Sequence, residues 1–124
     1  SWEYKAVPCL NIILKQLNEA FLNIDLVDRE EIIISYEPVW AIGTGHIAGA
    51  EIVSYVLNLI KHAIFNLWPE YIAVNNIRLI YGGSVEGDKI DEFLKLDLLN
   101  GFLVGSASLN ADKFTDIIDK LKNN

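Results

Sequence analysis

Sulfur is nearly missing from this 124-residue chain, which has one cysteine, Cys9, and no methionine. A lone cysteine excludes a disulfide within the chain, and nothing in its cysteine usage points to an oxidising compartment. With no methionine and Ser1 in first place, the sequence is expected to be part of a longer protein. Basic charge is also scarce: ten Lys and Arg stand against seventeen Asp and Glu, for a net charge of −7. That balance, without any basic cluster, argues against a nucleic-acid surface. A phosphorylated small molecule remains compatible, because backbone amides and helix N-termini hold phosphate without lysine or arginine. Long apolar runs are absent too. The most apolar stretch, Ile52 to Trp68, is broken by Lys61 and His62 and falls short of a membrane span. No charged-then-apolar leader opens the chain, so no membrane partner and a cytoplasmic location are expected.

What remains is a globular composition, 52% hydrophobic and 22% charged, in a length that suits one domain with a buried core. Leu10, Ile13, Leu14, Leu17 and Phe21 recur at helical spacing across Ala6 to Leu22. Pro8 suits a first turn, so that helix is expected to start near it. Residues 23–30 are acidic and aperiodic and read as a loop. Glu31 to Tyr36 is short, apolar and β-branched, the pattern of a strand buried on both faces. Glu51 to Leu67 predicts a helix with Val53, Val56, Leu57, Ile60, Ile64 and Leu67 on one face, stopped by Pro69. A second strand, Ile77 to Tyr81, ends in the flexible pair Gly82-Gly83. Asp88 to Leu96 reads as a short amphipathic helix with Ile90, Phe93 and Leu94 inward. A third strand runs from Gly101 to Val104, and Asn110 caps a last helix with Phe114, Ile117, Ile118 and Leu121 inward. The order, a helix and then three strand–helix repeats, predicts an α/β fold of parallel strands with right-handed crossovers. Three strands cannot close a barrel, and an open sheet leaves two edges exposed.

The run Tyr36-Glu37-Pro38-Val39-Trp40-Ala41-Ile42-Gly43-Thr44-Gly45 carries the chemistry. It delivers one carboxylate where a strand stops and then opens into a loop. A carboxylate at a core's edge is costly unless it has work to do. Pro38 stiffens the start of the loop, its tip is apolar, and Gly43 and Gly45 allow the return. Such a loop is suited to close over a polar substrate and expel water. The glycines and small residues at Gly43, at Ser84 after Gly82-Gly83, and at Gly105-Ser106 could each offer a backbone N–H to a phosphate. Any one of them alone reads as an ordinary turn. Three on one face of a sheet point to a site, and Ser106-Ala107-Ser108 is a suitable short turn for the last of them.

Tyr36 to Gly45 resembles the signature of the triosephosphate isomerase family. The likeness continues, in the family's order, through Tyr81-Gly82-Gly83-Ser84-Val85 and Gly101 to Leu109. It covers essentially the whole chain, more loosely before Glu31. The resemblance implies a TIM (β/α)8 barrel, of which residues 1–124 would be the C-terminal part of a single domain: about the last three βα units plus one preceding helix. It implies interconversion of dihydroxyacetone phosphate and glyceraldehyde 3-phosphate in glycolysis and gluconeogenesis, without cofactor or metal, by a homodimer when full-length. Glu37 would be the catalytic base. Gly43, Ser84, Gly105 and Ser106 would bind substrate. Pro38, Val39, Trp40, Ala41, Ile42 and Thr44 would form the lid, latched by the hydroxyls of Tyr81 and Ser84 near Ala41 and Gly43.

Several positions depart from the family pattern. Ser106 replaces a frequent second glycine, His46 stands where lysine is usual, Ile47-Ala48-Gly49 replaces a more polar helix start, and Asn100 replaces an aspartate. His46 and His62 are expected to be structural or surface residues. The family's substrate-binding asparagine and lysine, and its electrophilic histidine, belong to a half that is not in this sequence, so Glu37 alone is expected to be a poor catalyst. Two other readings are a phosphate-binding barrel of different chemistry, which would lack the intact lid, and a non-catalytic half-barrel binding a phosphorylated ligand or a partner chain, which could dispense with Glu37.

Overall fold

The computed structural model describes residues 3–27, 30–39, 48–87 and 89–124, with side chains from Leu10 onward. It divides into two compact units, Ser1–Ile32 with Tyr55–Ile77, and Ile33–Ser54 with Arg78–Asn124.

In the first unit, α1 (Glu3–Phe21) begins upstream of Pro8 rather than at it. The φ that proline fixes is itself helical, so the chain before it stays helical at the loss of one backbone bond. Asn23 ends the helix in the left-handed region, at φ 62, a conformation that asparagine tolerates better than most residues. The loop that follows is tied down by polar atoms. The Trp68 indole donates to the Ile24 carbonyl at 2.9 Å, and the Asn76 amide donates to the Glu30 carbonyl at 2.6 Å. The Trp68 ring meets Phe21 edge-on at 5.2 Å.

Helix α2 (Ala50–Leu67) matches the expected span, and Val53, Val56, Leu57, Ile60 and Ile64 of its expected face are buried. Pro69 does stop it, but a further helix, α3 (Glu70–Asn76), starts at once with Pro69 as its N-cap residue. Pro69 sits at φ −55 and ψ 149, and its carbonyl accepts the first helical bonds from Ile72 and Ala73, each at 3.0 Å.

The sheet has three strands, β1 (Ile32–Tyr36), β2 (Ile77–Tyr81) and β3 (Gly101–Phe102), in the order β1-β2-β3. β2 and β3 pair in parallel with Ile80 opposite Gly101 and Tyr81 opposite Phe102. β2 alternates strictly between buried and half-buried residues. β1 corrects the expectation of burial on both faces, since Ile33 is 64% exposed. β1 lies at a sheet edge, where Ile33 is left to solvent while Tyr36 is buried. β3 is shorter than the expected Gly101 to Val104. Its start is held by Asn100, whose side-chain oxygen accepts from the Leu79 N–H at 2.8 Å while its own N–H donates to the Leu79 carbonyl at 2.7 Å.

Helix α4 (Ile90–Phe93) is likewise only a fragment of the expected Asp88–Leu96, although Ile90 and Phe93 are buried as expected. A 3-10 turn (Ser106–Leu109) and α5 (Ala111–Lys122) complete the chain. Asn110 caps α5 by accepting from the Lys113 N–H at 3.0 Å. Of the four residues expected inward on α5, Ile117 is buried, whereas Phe114 and Leu121 are 38% and 40% exposed. α5 packs on the 3-10 turn and α4, and partners that short cover only a narrow strip of it. Among the described residues no helix is long and apolar enough to cross a membrane.

Candidate active site

The C-terminal ends of the strands lie side by side. The Gly82 N–H, just past β2, donates to the Tyr36 carbonyl that ends β1, at 2.9 Å. The Leu103 N–H, just past β3, donates to the Tyr81 carbonyl that ends β2, also at 2.9 Å. Glu37, Ser84 and Gly105-Ser106 therefore all leave the sheet at one edge, where α/β folds place their chemistry.

Glu37 is exposed, followed by a buried Pro38 and a 76% exposed Val39. Its side chain leans over Gly82. A Cβ built on Gly82 would lie 2.6 Å from the Glu37 Cγ, 3.2 Å from its Oε1 and 2.7 Å from the Ser35 Oγ. The space freed by the missing side chain is what lets the carboxylate rest against the end of β2. The neighbouring Gly83 is equally constrained, because a Cβ there would collide with the Tyr81 ring and hydroxyl. Both glycines of the pair that the sequence reads as flexible are close-approach positions. The signal was available, since paired glycines directly after a strand mark backbone that something else must approach.

Beyond Gly83 the loop exposes Ser84 and buries Val85. Its far end is fastened by α5: Lys120 Nζ donates to the Gly87 carbonyl and lies 3.7 Å from the Asp91 carboxylate. Asp116 occupies the space that a side chain on Gly87 would need. After β3, Gly105 has no neighbour within 4 Å of its Cβ direction. Its carbonyl accepts from both the N–H and the hydroxyl of Ser108, at 2.9 and 2.7 Å. Ser106, exposed, opens the 3-10 turn, where a first N–H has no partner within the turn.

Beneath this edge sits a ladder of rings. Tyr36 and Tyr81 are 6.4 Å apart, Tyr81 stacks on Phe93 at 4.7 Å, and Phe93 meets Phe102 at 6.3 Å. Tyr81 is fully buried, and among the described residues its hydroxyl and that of Ser35 have no hydrogen-bond partner. An unpaired buried hydroxyl costs about 1–3 kcal/mol. Burial, and secondarily the nearby Tyr36 phenol, push the Tyr81 hydroxyl from 10.0 up to about 12. A raised folded-state value favours the neutral phenol in the folded chain. Its contribution to stability is complete below pH 10 and is lost as pH rises toward 12. Denaturant unfolding between pH 9 and 12 is expected to fall more steeply for the wild-type chain than for Tyr81→Phe; equal slopes would show that Tyr81 titrates as an exposed phenol.

The lid positions Trp40, Ala41, Ile42, Gly43 and Thr44, and His46 with them, lie outside the described residues. Among the described residues, Glu37, Ser84, Gly105 and Ser106 each follow the C-terminal end of a strand, with Pro38 and Val39 after Glu37 and Tyr81 at the end of β2. His62 is exposed on α2. Among the described residues no group of His, Cys, Asp or Glu could hold a metal ion. Sequence reasoning missed Ser35, which reads there only as part of the strand.

The Glu37 carboxylate thus follows one strand at the same end of the sheet at which the loops after the other two strands begin. A model of the triosephosphate isomerase family matches residues 2–121. The triosephosphate isomerase of Dictyoglomus thermophilum is 41% identical over 107 residues, which is 86% of this chain and 43% of that protein. That of Ureaplasma parvum is 39% identical over 119 residues, 96% of this chain and 47% of its own length, and that of Malacoplasma penetrans 33% identical over 117 residues, 94% and 46%. The chain belongs to the triosephosphate isomerase family. It spans less than half the length of these relatives.

Proposed function

We propose that residues 1–124 form the C-terminal part of a single (β/α)8 isomerase domain, contributing its last three βα units and the helix before them. The completed barrel interconverts dihydroxyacetone phosphate and glyceraldehyde 3-phosphate, a step of glycolysis and gluconeogenesis, and assembles as a homodimer without cofactor or metal. The observation that carries this reading is the seat of Glu37 over Gly82, at the sheet edge that also presents Ser84 and Ser106.

In this reading the Glu37 carboxylate takes a proton from the hydroxyl-bearing carbon of the substrate and returns it to the adjacent carbon. The intermediate carries negative charge on its oxygens. Glu37 is exposed in this structure, and the lid from Pro38 to Thr44 shuts water out around it when substrate is bound. The phosphate is gripped by the N–H groups of Gly43, Ser84, Gly105 and Ser106, a grip that suits a chain of net charge −7. Tyr81 and Ser84 latch the closed lid. The oxyanion is stabilised by side chains of the other half, and such groups are worth several kcal/mol of barrier.

Exposed apolar residues support the half-barrel reading. Ile33 on the edge strand, Leu103 after β3 and Leu109 at 89% exposure are surfaces that a complementary half would cover. The chain alone is therefore expected to show no more than trace isomerase activity, and turnover is expected once the N-terminal half of a relative is supplied. Full activity from the chain by itself would overturn the proposal.

A further inference from the structure

The loop that carries Ser84 is held at both ends, and its second anchor comes from a helix that the mechanism above does not use. At its start the Gly82 N–H donates to the Tyr36 carbonyl at 2.9 Å, and Val85, next to the exposed Ser84, is buried. At its far end the Gly87 carbonyl accepts from Lys120 Nζ, in the last turn of α5. The same ammonium lies 3.7 Å from the carboxylate of Asp91, in the first turn of α4. A lysine has three donors, so one group can serve both partners. The stem follows the contact: Lys120 Cε lies 4.0 Å from the place a Gly87 Cβ would take, and Asp116, one turn earlier on α5, fills that place. The Lys120 side chain is 25% exposed, so its charged hydrogen bond is partly shielded from water and stronger than one at the surface. α5 also packs on the 3-10 turn that opens with Ser106. One helix thus touches both of the loops in this unit that offer amides to a phosphate.

We propose that Lys120 is a positioning residue for the phosphate grip, its ammonium fixing the far end of the Ser84 loop and, through it, the direction of the Ser84 N–H. The inference rests on the reading of Ser84 as a phosphate ligand. Gly87 is three residues beyond Ser84, a span of about 10 Å at most, so a carbonyl held at Gly87 leaves the Ser84 peptide little room to turn. Lys120 itself touches no substrate. The Asp91 carboxylate is 61% exposed, and a pair of that kind contributes little alone; the bond to the Gly87 carbonyl does the positioning. Phosphate is held alike in the ground state and the transition state, so a looser grip weakens both equally and falls on KM rather than on kcat.

Steady-state kinetics of the completed isomerase that contains this chain test it, with inorganic phosphate as a competitive inhibitor. Lys120→Met keeps an apolar stem and removes the donor, so the fold is expected to persist, which a melting curve checks. Should that variant not fold, Lys120→Ala reads the same loss. KM and the phosphate inhibition constant are expected to rise together, about three- to tenfold, with kcat within twofold. Lys120→Arg, which keeps a charged donor, is expected to stay within about twofold of wild type in both constants. Lys122→Met removes an exposed charge from the same turn and is expected to change neither constant. Unchanged constants in Lys120→Met, a loss confined to kcat, or an equal rise in Lys122→Met would overturn the proposal. Ser84→Glu separates the two levels, because it sets a negative charge where the phosphate is placed. If Ser84→Glu raises both constants while Lys120→Met does not, the positioning role falls and the grip stands. If Ser84→Glu binds like wild type, the reading of Ser84 falls and takes the role of Lys120 with it.

Discussion

Glu37→Asp in the completed barrel is expected to lower kcat about a hundredfold while leaving KM within about threefold. The aspartate keeps the charge but withdraws the carboxylate by one methylene, about 1 Å, and misplacement on that scale costs reactions of this kind on the order of a hundredfold. In the proposed function, substrate binding is carried by the amides of the phosphate loops, which the substitution does not touch, so the loss is expected to fall on the chemical step. The geometry gives the shorter side chain no way to compensate. Glu37 leaves β1 immediately after Tyr36, whose carbonyl is held by the Gly82 N–H at 2.9 Å, and Pro38 follows it buried. Backbone pinned on both sides cannot move forward by the missing length of about 1 Å. Steady-state rates for Glu37→Asp and the wild type measure this directly, and an unchanged kcat would remove Glu37 from the mechanism.

Gly83→Ala is expected to destabilise the chain by about 3 kcal/mol, or to prevent folding. The new methyl would fall on the Tyr81 ring and hydroxyl. Tyr81 cannot yield: it is 0% exposed and stacks on Phe93, itself 2% exposed, at 4.7 Å. Overpacking a filled core costs about 1–3 kcal/mol, and a rigid ring puts this case at the upper end. Gly105→Ala is the control. Nothing lies within 4 Å of its Cβ direction, so it meets no packing clash and is expected to cost less than Gly83→Ala. Denaturant midpoints for the two variants distinguish the cases, and equal midpoints would mean that Tyr81 is not held where the ring ladder puts it.

The long, periodic elements are legible in the amino-acid sequence. Val53, Val56, Leu57, Ile60 and Ile64 mark α2, and Asn110 marks the start of α5, because one residue type at one spacing decides each. α3 is not legible. A proline reads as a stop, and here Pro69 stops one helix while its extended backbone starts the next. The short β3 and α4 are overestimated because the apolar residues flanking them, such as Val104 and Leu94, continue the pattern past the last residue of each element. Ile33, Phe114 and Leu121 show a different failure. Their patterns specify burial against layers that this chain does not supply, and a sequence cannot say which of its faces will find a partner.

At the candidate site, motif order alone puts Glu37, Ser84, Gly105 and Ser106 at the ends of strands. It does not reveal that Gly82 seats the Glu37 and Ser35 side chains, because that depends on the lateral fit of two strands that are far apart in sequence.

The central claim is that this chain brings the proton-transferring carboxylate to a triose phosphate. The most direct test is turnover of dihydroxyacetone phosphate in D2O by the chain combined with the N-terminal half of a relative, followed by proton NMR. Deuterium is expected on the carbon-bound positions of substrate and product, because a proton held on Glu37 exchanges with solvent. Glu37→Gln is expected to abolish the label, and the chain alone to give none. Label appearing at the wild-type rate with Glu37→Gln, or none from the combined halves when they have assembled, would contradict that claim.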